Sequence, residues 1–248
     1  MSEPTSQRVA LVTGAAQRIG AEICRRLHAA DFNIIIHYRS SSHPAEQLAA
    51  TLNSQRSGSA HCIQADLTNS QDVQSLAAAA EKQWGHIDAL INNASTFYPT
   101  PLNQSTEDDW DVLFDSNVRG PFFLSQALTP TLSQRQGCII NLVDIHSERP
   151  MTEHTIYSMA KASVAMMTKT LAKEMAPAVR VNGVSPGAIL WPEQELDPNN
   201  KSSILNKIPM QKIGDVSDIA QTVAFLVNDA PYVTGQIIAV DGGRSLNM

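Results

Sequence analysis

Short apolar runs recur along the chain and alternate with longer stretches whose apolar residues are spaced as in a helix. Each run has five or six residues and is rich in aliphatic side chains, which is typical of strands buried on both faces of a parallel sheet. The predicted strands are residues 8–13, 33–38, 59–64, 88–93, 138–143, 179–184 and 236–240. The predicted helices are residues 21–30, 43–56, 70–84, 109–132, 155–175 and 215–229. This alternation predicts an α/β fold with a doubly wound, seven-stranded parallel sheet and helices on both faces.

The chain is expected to form a single domain that spans residues 1–248. Its 248 residues, of which 43% are hydrophobic, are enough for one large core. No repeat, low-complexity segment or linker divides it. Residues 191–209 are polar and contain several prolines, so we expect them to form a lid over a substrate.

Charge and composition exclude several classes of function. The net charge is −6 and lysines and arginines form no block, which argues against a nucleic-acid partner. No apolar run approaches the length of a membrane span, and residues 1–7 lack the apolar core of a signal peptide. The three cysteines are scattered in apolar stretches, as expected of reduced core thiols rather than a metal site or disulfides. We therefore expect a cytoplasmic protein without a metal.

A glycine turn joins the first strand to the first helix. Gly14 follows the strand directly and Gly20 stands at the start of the helical pattern. Strand, glycine turn and helix in this order direct helix N–H groups towards a phosphate. Gly14 would permit the tight turn and Gly20 the close approach of helix and sheet. An ordinary strand-to-helix turn would show the same pattern.

The end of the second strand indicates which dinucleotide the turn would hold. In a dinucleotide-binding sheet, an acidic residue here reads the ribose 2′-hydroxyl of NAD. That acid is missing, and Arg39 with Ser40, Ser41 and Ser42 offers a cation and hydroxyl donors that suit a 2′-phosphate. The pattern favours NADPH. The alternative is a solvated helix start at which a serine is the N-cap.

Tyr157 and Lys161 lie four residues apart in the helix 155–175, hence on one face. A phenol has a pKa near 10, and a fixed positive charge close by would lower that pKa and make Tyr157 a usable acid or base. Asp144 follows the strand 138–143 and could lie beside the same hydroxyl. The alternative is a helix-surface pair that contributes only a few tenths of a kcal/mol.

Two further positions invite a functional interpretation. Asn117 lies inside the helical pattern 109–132, where an asparagine is mildly unfavourable. Phe97 lies in the loop after the fourth strand. A loop aromatic of this kind usually packs on the surface, but beside a nicotinamide it can form one wall of a slot for a flat ring.

These motifs together resemble the short-chain dehydrogenase/reductases, a family with a Rossmann-type fold, over nearly the whole chain. The residues that carry the resemblance are Thr-Gly-x-x-x-Gly-x-Gly at 13–20 with Arg18 in place of the middle glycine, Asn-Asn-Ala at 92–94, Tyr-x-x-x-Lys at 157–161 and Pro-Gly at 186–187. The resemblance implies that Lys161 holds the nicotinamide ribose, that Asn117 kinks its helix and holds a water that relays protons to Lys161, and that Asp66 contacts the adenine. The residues implied to bind the cofactor are Gly14, Gln17, Arg18, Ile19, Tyr38, Arg39, Ser40, Asp66, Leu67, Asn93, Ala94, Ser95, Tyr157, Lys161, Pro186 and Gly187. An aspartate before a helix is also a common cap, so both interpretations of Asp66 stand.

The chain departs from the family pattern at three places, and at these places it resembles the pteridine reductases. Asp144 replaces the usual serine, Arg18 replaces a glycine, and residues 95–102 form an unusual loop. The resemblance implies catalysis by Asp144, Tyr157, Lys161 and Asn117, and a pterin bound by Arg18, Ser95, Phe97, Asp144, Tyr157 and Trp191. The implied activity is NADPH-dependent reduction of a 7,8-dihydropterin, with oxidised pterins and dihydrofolate as further candidate substrates. A homo-oligomer, a tetramer in this family, is also implied.

Two other functions stay open on the sequence. The first is a carbonyl or enoyl reductase of the same family that also uses NADPH. The second is a non-catalytic dinucleotide-binding regulator, because a fold does not dictate a function. Charge favours the pterin. A carboxylate at residue 144 would repel the alkoxide that forms from a ketone, whereas it can help to protonate a ring nitrogen if it shares a proton with Tyr157.

Overall fold

Seven parallel strands form one sheet, as the hydrophobic pattern predicts. A computed structural model describes residues 7–190 and 198–247 of the chain, with the side chains of residues 198–200 left out. The order across the sheet is β3-β2-β1-β4-β5-β6-β7, and every neighbouring pair is parallel. The strands are β1 Val9–Val12, β2 Asn33–Tyr38, β3 Ala60–Gln64, β4 Ala89–Asn92, β5 Cys138–Leu142, β6 Arg180–Pro186 and β7 Ile237–Val240. The predicted fold class is confirmed.

Helices cover both faces of this sheet. They are α1 Arg18–Ala29, α2 Ser42–Gln55, α3 Ser70–Trp84, α4 Glu107–Phe114, α5 Gly120–Gln134, α6 Thr155–Met175, α7 Pro198–Asn206 and α8 Val216–Asn228. Helices α1, α2 and α8 contribute to one hydrophobic cluster, and α3, α5 and α6 contribute to the other. The two clusters lie on opposite faces of the sheet, which makes the sheet the centre of the core.

The first strand shows why its sequence is apolar without a break. Ala10 and Val12 pack into the cluster of α1, α2 and α8, while Val9 and Leu11 pack into the opposite cluster. All four side chains are fully buried. A strand covered on both faces has no position for a polar side chain, so it shows no alternation.

The stretch predicted as one helix over 109–132 has a π-helical segment in its middle. Asp115–Arg119 has π geometry between α4 and α5, and Asn117 lies within it. The helical path begins earlier than predicted because Thr106 and Asp109 form a capping box. The predicted lid, residues 191–209, includes α7, and residues 191–197 lie outside the described residues.

All three cysteines lie in the described residues. The three cysteines are free thiols, and Cys24 and Cys138 are buried. In the described parts of the chain, no helix is both long enough and apolar enough to cross a bilayer. The cytoplasmic location stays a prediction.

Topology marks where a ligand would bind. Strand order runs outward in one direction from β1 to β3 and in the other from β4 to β7. In an open parallel sheet, ligands bind at the carboxyl ends of the strands beside this switch point. The glycine turn follows β1 and the Asn-Asn-Ala segment follows β4, so both lie at that edge.

Candidate active site

A cavity of about 400 Å³ opens at the carboxyl edge of β1, β2, β3 and β4. This volume lies in the range of small-molecule and cofactor sites. Twelve residues predicted to bind the cofactor line it: Gly14, Gln17, Arg18, Ile19, Tyr38, Arg39, Ser40, Asp66, Leu67, Asn93, Ala94 and Ser95. The fold therefore brings these predicted residues together from four separate segments of the chain.

The glycine turn approaches β4 so closely that side chains would not fit. Gly14 has a φ of +59°, and a Cβ atom there would lie 2.8 Å from the Cα of Ala94. A Cβ at Gly20 would lie 2.5 Å from the carbonyl oxygen of Gly14. Asn93 fastens the turn, since its Nδ2 donates to the carbonyl oxygens of Thr13 at 2.8 Å and Gly14 at 3.0 Å. The result is a narrow backbone cradle at the start of α1, which suits a phosphate group.

Arg18 takes a backbone conformation that explains why a glycine is expected at its position. Its φ is +53°, which is uncommon for a residue with a side chain. The side chain is exposed at the rim of the cavity. Its guanidinium makes no hydrogen bond or ion pair with residues 7–190 or 198–247.

Arg39 and Ser40 form a polar corner at the end of β2. Both residues are exposed and line the cavity, and the Arg39 guanidinium has no hydrogen-bond or ion-pair partner in the described part of the chain. Ser41 is the N-cap residue of α2, but its side chain makes no capping hydrogen bond. Capping of α2 therefore does not engage the Ser41 hydroxyl, and the Arg39 guanidinium and the Ser40 hydroxyl remain at the cavity.

Asp66 lies across the cavity and is not a helix cap. Its Oδ1 accepts hydrogen bonds from the backbone N–H of Thr68 at 2.9 Å and from the Thr68 hydroxyl at 2.8 Å. The cap of α3 is Asn69. Burial would raise the pKa of Asp66, but the Thr68 hydrogen bonds and the charge of Arg39 outweigh it, so the pKa lies below its ordinary value. Asp66 thus presents a carboxylate at the cavity.

Tyr157, Asp144 and Lys161 meet beside this cavity. The Tyr157 hydroxyl donates to Asp144 Oδ2 at 2.8 Å. The Lys161 ammonium donates to the carbonyl oxygen of Leu142 at 2.9 Å and lies 5.7 Å from the centre of the Tyr157 ring. Tyr157 is 4% exposed and Lys161 is 3% exposed. Three of the four predicted catalytic residues therefore lie together, with Tyr157 and Lys161 buried and Asp144 partly buried.

Asp144 has two roles, one for each carboxylate oxygen. While Oδ2 accepts from Tyr157, Oδ1 accepts from the backbone N–H of His146 at 2.8 Å. That second bond caps the short 3₁₀ helix Ile145–Ser147. The cap holds the carboxylate in place against the phenol.

The expectation that Lys161 lowers the pKa of Tyr157 is wrong. Burial of the phenol, followed by the charge and hydrogen bond of Asp144, raises the pKa of Tyr157 well above its ordinary value. Burial also lowers the pKa of Lys161 to about 8, against the opposing charge of Asp144. Tyr157 is consequently a protonated phenol at neutral pH.

Asn117 connects the π-helical segment to the loop after β4. Its Nδ2 donates to the carbonyl oxygens of Thr96 at 3.0 Å and Leu113 at 2.9 Å. Its Oδ1 accepts from the Ser95 hydroxyl at 2.7 Å. Because Ser95 also lines the cavity, this bond joins the cavity wall to the π-helical segment. A water relay through Asn117 stays a prediction.

Phe97 stands beside Tyr157 and is only partly buried. Its ring is 52% exposed and meets the Tyr157 ring edge-on, with centres 4.8 Å apart. It stacks on His154 at 4.7 Å and 15°. The stacking on His154 thus holds the Phe97 ring in place beside Tyr157. The sequence analysis missed His154, whose only signal is its position as the N-cap of α6.

His37 was also missed. Its buried imidazole lies between the glycine turn and the end of β3, with hydrogen-bond distances of 3.1 Å to Gly14 N and to Ala65 O. The signal in the sequence is one histidine in the otherwise aliphatic run of β2.

Pro186 and Gly187 do not line the cavity, although the segment that they begin does. Gly187 packs against Asp241, where an added Cβ would lie 2.5 Å from the Asp241 Cβ. Ile189 and Leu190 then form part of the cavity wall. Trp191 lies outside the described residues. The described residues contain no group of three or more His, Cys, Asp or Glu side chains that could hold a metal.

Comparisons with known proteins agree with this geometry. A family model described as enoyl-(acyl carrier protein) reductase matches residues 14–245. Pteridine reductase 1 of Leishmania tarentolae is 36% identical, over 99% of this chain and 98% of that protein. A 3-oxoacyl-(acyl-carrier-protein) reductase of Staphylococcus epidermidis is also 36% identical, over 94% of this chain and 97% of that protein. The 3beta-hydroxysteroid dehydrogenase 1 of Eggerthella lenta is 33% identical, over 99% and 97%. The names of these relatives indicate three kinds of substrate, so the choice among them must come from the site.

Proposed function

The chain belongs to the short-chain dehydrogenase/reductase family of oxidoreductases, which use a nicotinamide dinucleotide, and we propose that it is an NADPH-dependent pteridine reductase. The proposed reaction reduces a 7,8-dihydropterin to the tetrahydropterin. Hydride goes to a ring carbon and a proton goes to the adjacent ring nitrogen. Oxidised pterins and dihydrofolate are further candidate substrates.

The observation that carries this proposal is the hydrogen bond from Tyr157 to Asp144. A carbonyl reductase needs a neutral donor beside its tyrosine to stabilise the developing oxyanion. Asp144 places a carboxylate 2.8 Å from the Tyr157 hydroxyl, where it would repel an oxyanion. An imine-type ring nitrogen is basic enough to be protonated before the hydride arrives, and a carboxylate stabilises the resulting positive charge rather than repelling it. The pair therefore favours protonation of nitrogen.

The described side chains support a proton-transfer step. We propose that Tyr157 and Asp144 hold one proton between them, in the 2.8 Å hydrogen bond from the phenol to the carboxylate. The pair donates this proton to the substrate nitrogen. After this step the pair carries one further negative charge, which the buried ammonium of Lys161, attracted to Asp144, would offset. Protonation of the pair from solvent completes the cycle.

The residues of the cavity support the proposal of a nicotinamide dinucleotide with a 2′-phosphate. Gly14 and Gly20 leave room for a backbone cradle, and side chains at these positions would clash. Arg39 offers a cation that is unpaired in the described part of the chain, with the hydroxyl of Ser40 beside it. When bound, NADPH would supply the hydride. We propose that Lys161 holds its nicotinamide ribose and that Asp66 contacts its adenine.

The exposed face of Phe97 is the proposed wall for the pterin ring. A pterin is flat and carries donors and acceptors along one edge, so it can stack on an aromatic ring. Phe97 is half-exposed and touches Tyr157, the proposed acid. Arg18 and Ser95 would contact the same substrate from the cavity side, and Trp191 would do so from the segment that follows Leu190.

A carbonyl or enoyl reductase of the same family is the second candidate. It is supported by the family model described as enoyl-(acyl carrier protein) reductase and by the 36% identity to a 3-oxoacyl-(acyl-carrier-protein) reductase. A non-catalytic regulator is the third, but the assembled group of Tyr157, Asp144 and Lys161 gives it no support.

Apolar side chains on α5 and α6 support a homo-oligomer, which we propose to be a tetramer by resemblance to the family. Phe122 and Phe123 on α5 and Met159 and Met166 on α6 are all more than a third exposed. Exposed apolar surface on adjacent helices is typical of a face that a second subunit covers. Light scattering coupled to size-exclusion chromatography would measure the mass of the assembly and would contradict the tetramer if it gave a monomer.

NADPH oxidation by the purified protein tests the proposed function directly. The substrates are 7,8-dihydrobiopterin, dihydromonapterin, dihydrofolate, an enoyl thioester and a panel of ketones. We expect turnover with the dihydropterins and little with the ketones. Turnover of ketones or thioesters without dihydropterins would replace the proposal by the second candidate. Absence of any oxidation would favour the regulator.

A further inference from the structure

The His37 side chain joins two of the segments that form the cavity. The backbone N–H of Gly14 donates to His37 Nδ1 at 3.1 Å, and Nε2 lies 3.1 Å from the carbonyl oxygen of Ala65. The carbonyl oxygen of His37 accepts from the N–H of Ala15 at 2.8 Å. The residue therefore holds the glycine turn with its side chain and its backbone, and holds the end of β3 with the far side of its ring.

These contacts determine the tautomer of His37. A backbone N–H can only donate, so Nδ1 must accept and must carry no proton. The proton is then on Nε2, which donates to Ala65 O. Burial lowers the pKa of His37 to about 4, although the bond to Ala65 and the charge of Asp66 oppose this. The imidazole is neutral at physiological pH and keeps both hydrogen bonds.

The position of His37 relates these bonds to the cofactor. His37 directly precedes Tyr38, Arg39 and Ser40, and Ala65 directly precedes Asp66. The cavity is lined by Gly14, His37, Tyr38, Arg39, Ser40 and Asp66, whereas Ala65 does not line it. A rigid link among these segments would fix the cavity before a ligand arrives, and a preformed site loses less entropy on binding.

We propose that His37 is a positioning residue that holds the glycine turn and the end of β3 in the conformation that binds the dinucleotide. The inference rests on the family's use of a nicotinamide cofactor and is independent of the pterin. His37 acts through Gly14 and the carbonyl of Ala65. Since it holds the backbone cradle rather than the 2′-phosphate corner, it should affect NADPH and NADH equally.

Two substitutions separate its hydrogen bonds. In His37→Asn the amide oxygen has the same number of bonds from Cα as Nδ1, so it can still accept from Gly14. In His37→Gln the amide nitrogen corresponds to Nε2, so it can still donate to Ala65. His37→Leu removes both. The matched control is His61→Asn on β3, which replaces an exposed histidine of the same sheet.

Dissociation constants for NADPH and NADH, measured by fluorescence titration, are the main readout. We expect the constants for both cofactors to rise about tenfold in His37→Gln and at least as much in His37→Leu, since each leaves the Gly14 N–H without its partner. His37→Asn should raise them less than about threefold, because its amide oxygen keeps that N–H paired. His61→Asn should match the unchanged protein.

Thermal unfolding of the cofactor-free variants distinguishes positioning from a purely structural role. Lower melting temperatures with unchanged dissociation constants would overturn the inference, and so would a loss confined to NADPH. If His37→Leu does not fold, the Asn and Gln variants decide.

Nitrogen NMR of the unchanged protein at pH 7 is independent of the variants. It should find His37 neutral with its proton on Nε2, and a proton on Nδ1 would contradict the geometry. Failure of the unchanged protein to bind either cofactor would instead contradict the proposed function.

Discussion

The two halves of the site are built in different ways. The cofactor half consists mainly of backbone at strand ends, where Gly14 and Gly20 leave space and Asn93 fastens the turn. The catalytic half consists of side chains from three segments, with Tyr157 bonded to Asp144 and in contact with Phe97. The first half follows from the fold that the whole family shares. The second depends on a few side chains, and it is where the substrate would be chosen.

The largest expected effect lies in the catalytic half. Tyr157→Phe removes the proposed acid and leaves the cavity lining intact, so turnover should fall by at least about a hundredfold, the scale of positioned acid–base catalysis. The dissociation constant for NADPH should change little. Steady-state kinetics and a cofactor titration check both results, and Tyr232→Phe, at an exposed residue, is the control. Near-normal turnover in Tyr157→Phe would remove the phenol from the mechanism.

The buried charge of Lys161 gives a prediction about stability. Its pKa is about 8 in the folded protein and about 10.4 in an unfolded chain, so between these values the unfolded state binds more protons. Stability supplied by this residue therefore rises with pH through this window. The test compares the unchanged protein with Lys161→Met. We expect the free energy of unfolding of the unchanged protein, minus that of the variant, to increase by about 1–2 kcal/mol from pH 7 to pH 9.5.

Denaturant unfolding at the two pH values measures this shift. Lys169→Met, at an exposed position of the same helix, is the control for the loss of a lysine side chain. If the difference in the free energy of unfolding between Lys161→Met and the unchanged protein stays constant with pH, then burial does not lower the pKa of Lys161.

In the cofactor half, Arg39→Ala should separate the two dinucleotides. The guanidinium would bond only to the 2′-phosphate, so the dissociation constant for NADPH should rise about tenfold while that for NADH changes little. Arg25→Ala, at an exposed arginine of α1, controls for the loss of one positive charge. If the dissociation constants for NADPH and NADH rise equally, Arg39 has a structural role and the proposed preference for NADPH loses its main support.

The smallest expected effect concerns the aromatic wall. Phe97→Ala should raise the Michaelis constant for a dihydropterin about fivefold, because ring stacking contributes about 1 kcal/mol. Cofactor binding should be unchanged, since Phe97 does not line the cavity. Phe97→Tyr keeps an aromatic ring and should recover most of the affinity. A Michaelis constant that is the same in all three proteins would exclude Phe97 from the substrate site.

The difference between the two halves also explains what the sequence could predict. Strand β2 and helices α3 and α6 have the predicted bounds, because each has a strong apolar pattern with clear ends. That twelve of the predicted residues line one cavity was predictable, because they follow strand ends and the ends of parallel strands meet at one edge. The contacts among distant residues were not accessible in this way.

Three misses share one physical cause. The pKa of Tyr157 was predicted in the wrong direction, because helix spacing gives the neighbour at Lys161 but not the burial of the phenol. The hydrogen bonds of His37 and the stacking of His154 on Phe97 join segments that are far apart in sequence. Burial and long-range contacts exist only in the folded chain, so periodicity cannot reveal them.

The charge at residue 144 is the central claim, and Asp144→Ser tests it most directly. Serine restores the neutral hydroxyl that is usual in this family, so a carbonyl reductase should keep or improve its ketone turnover. Asp144→Asn is the companion that keeps the shape and removes the charge. The measurement is kcat/KM for a dihydropterin and for a ketone in all three proteins. We predict that both variants lose about tenfold or more on the dihydropterin, with little gain on the ketone. A rise in ketone turnover without loss on the dihydropterin would contradict the proposed role of the Asp144–Tyr157 pair.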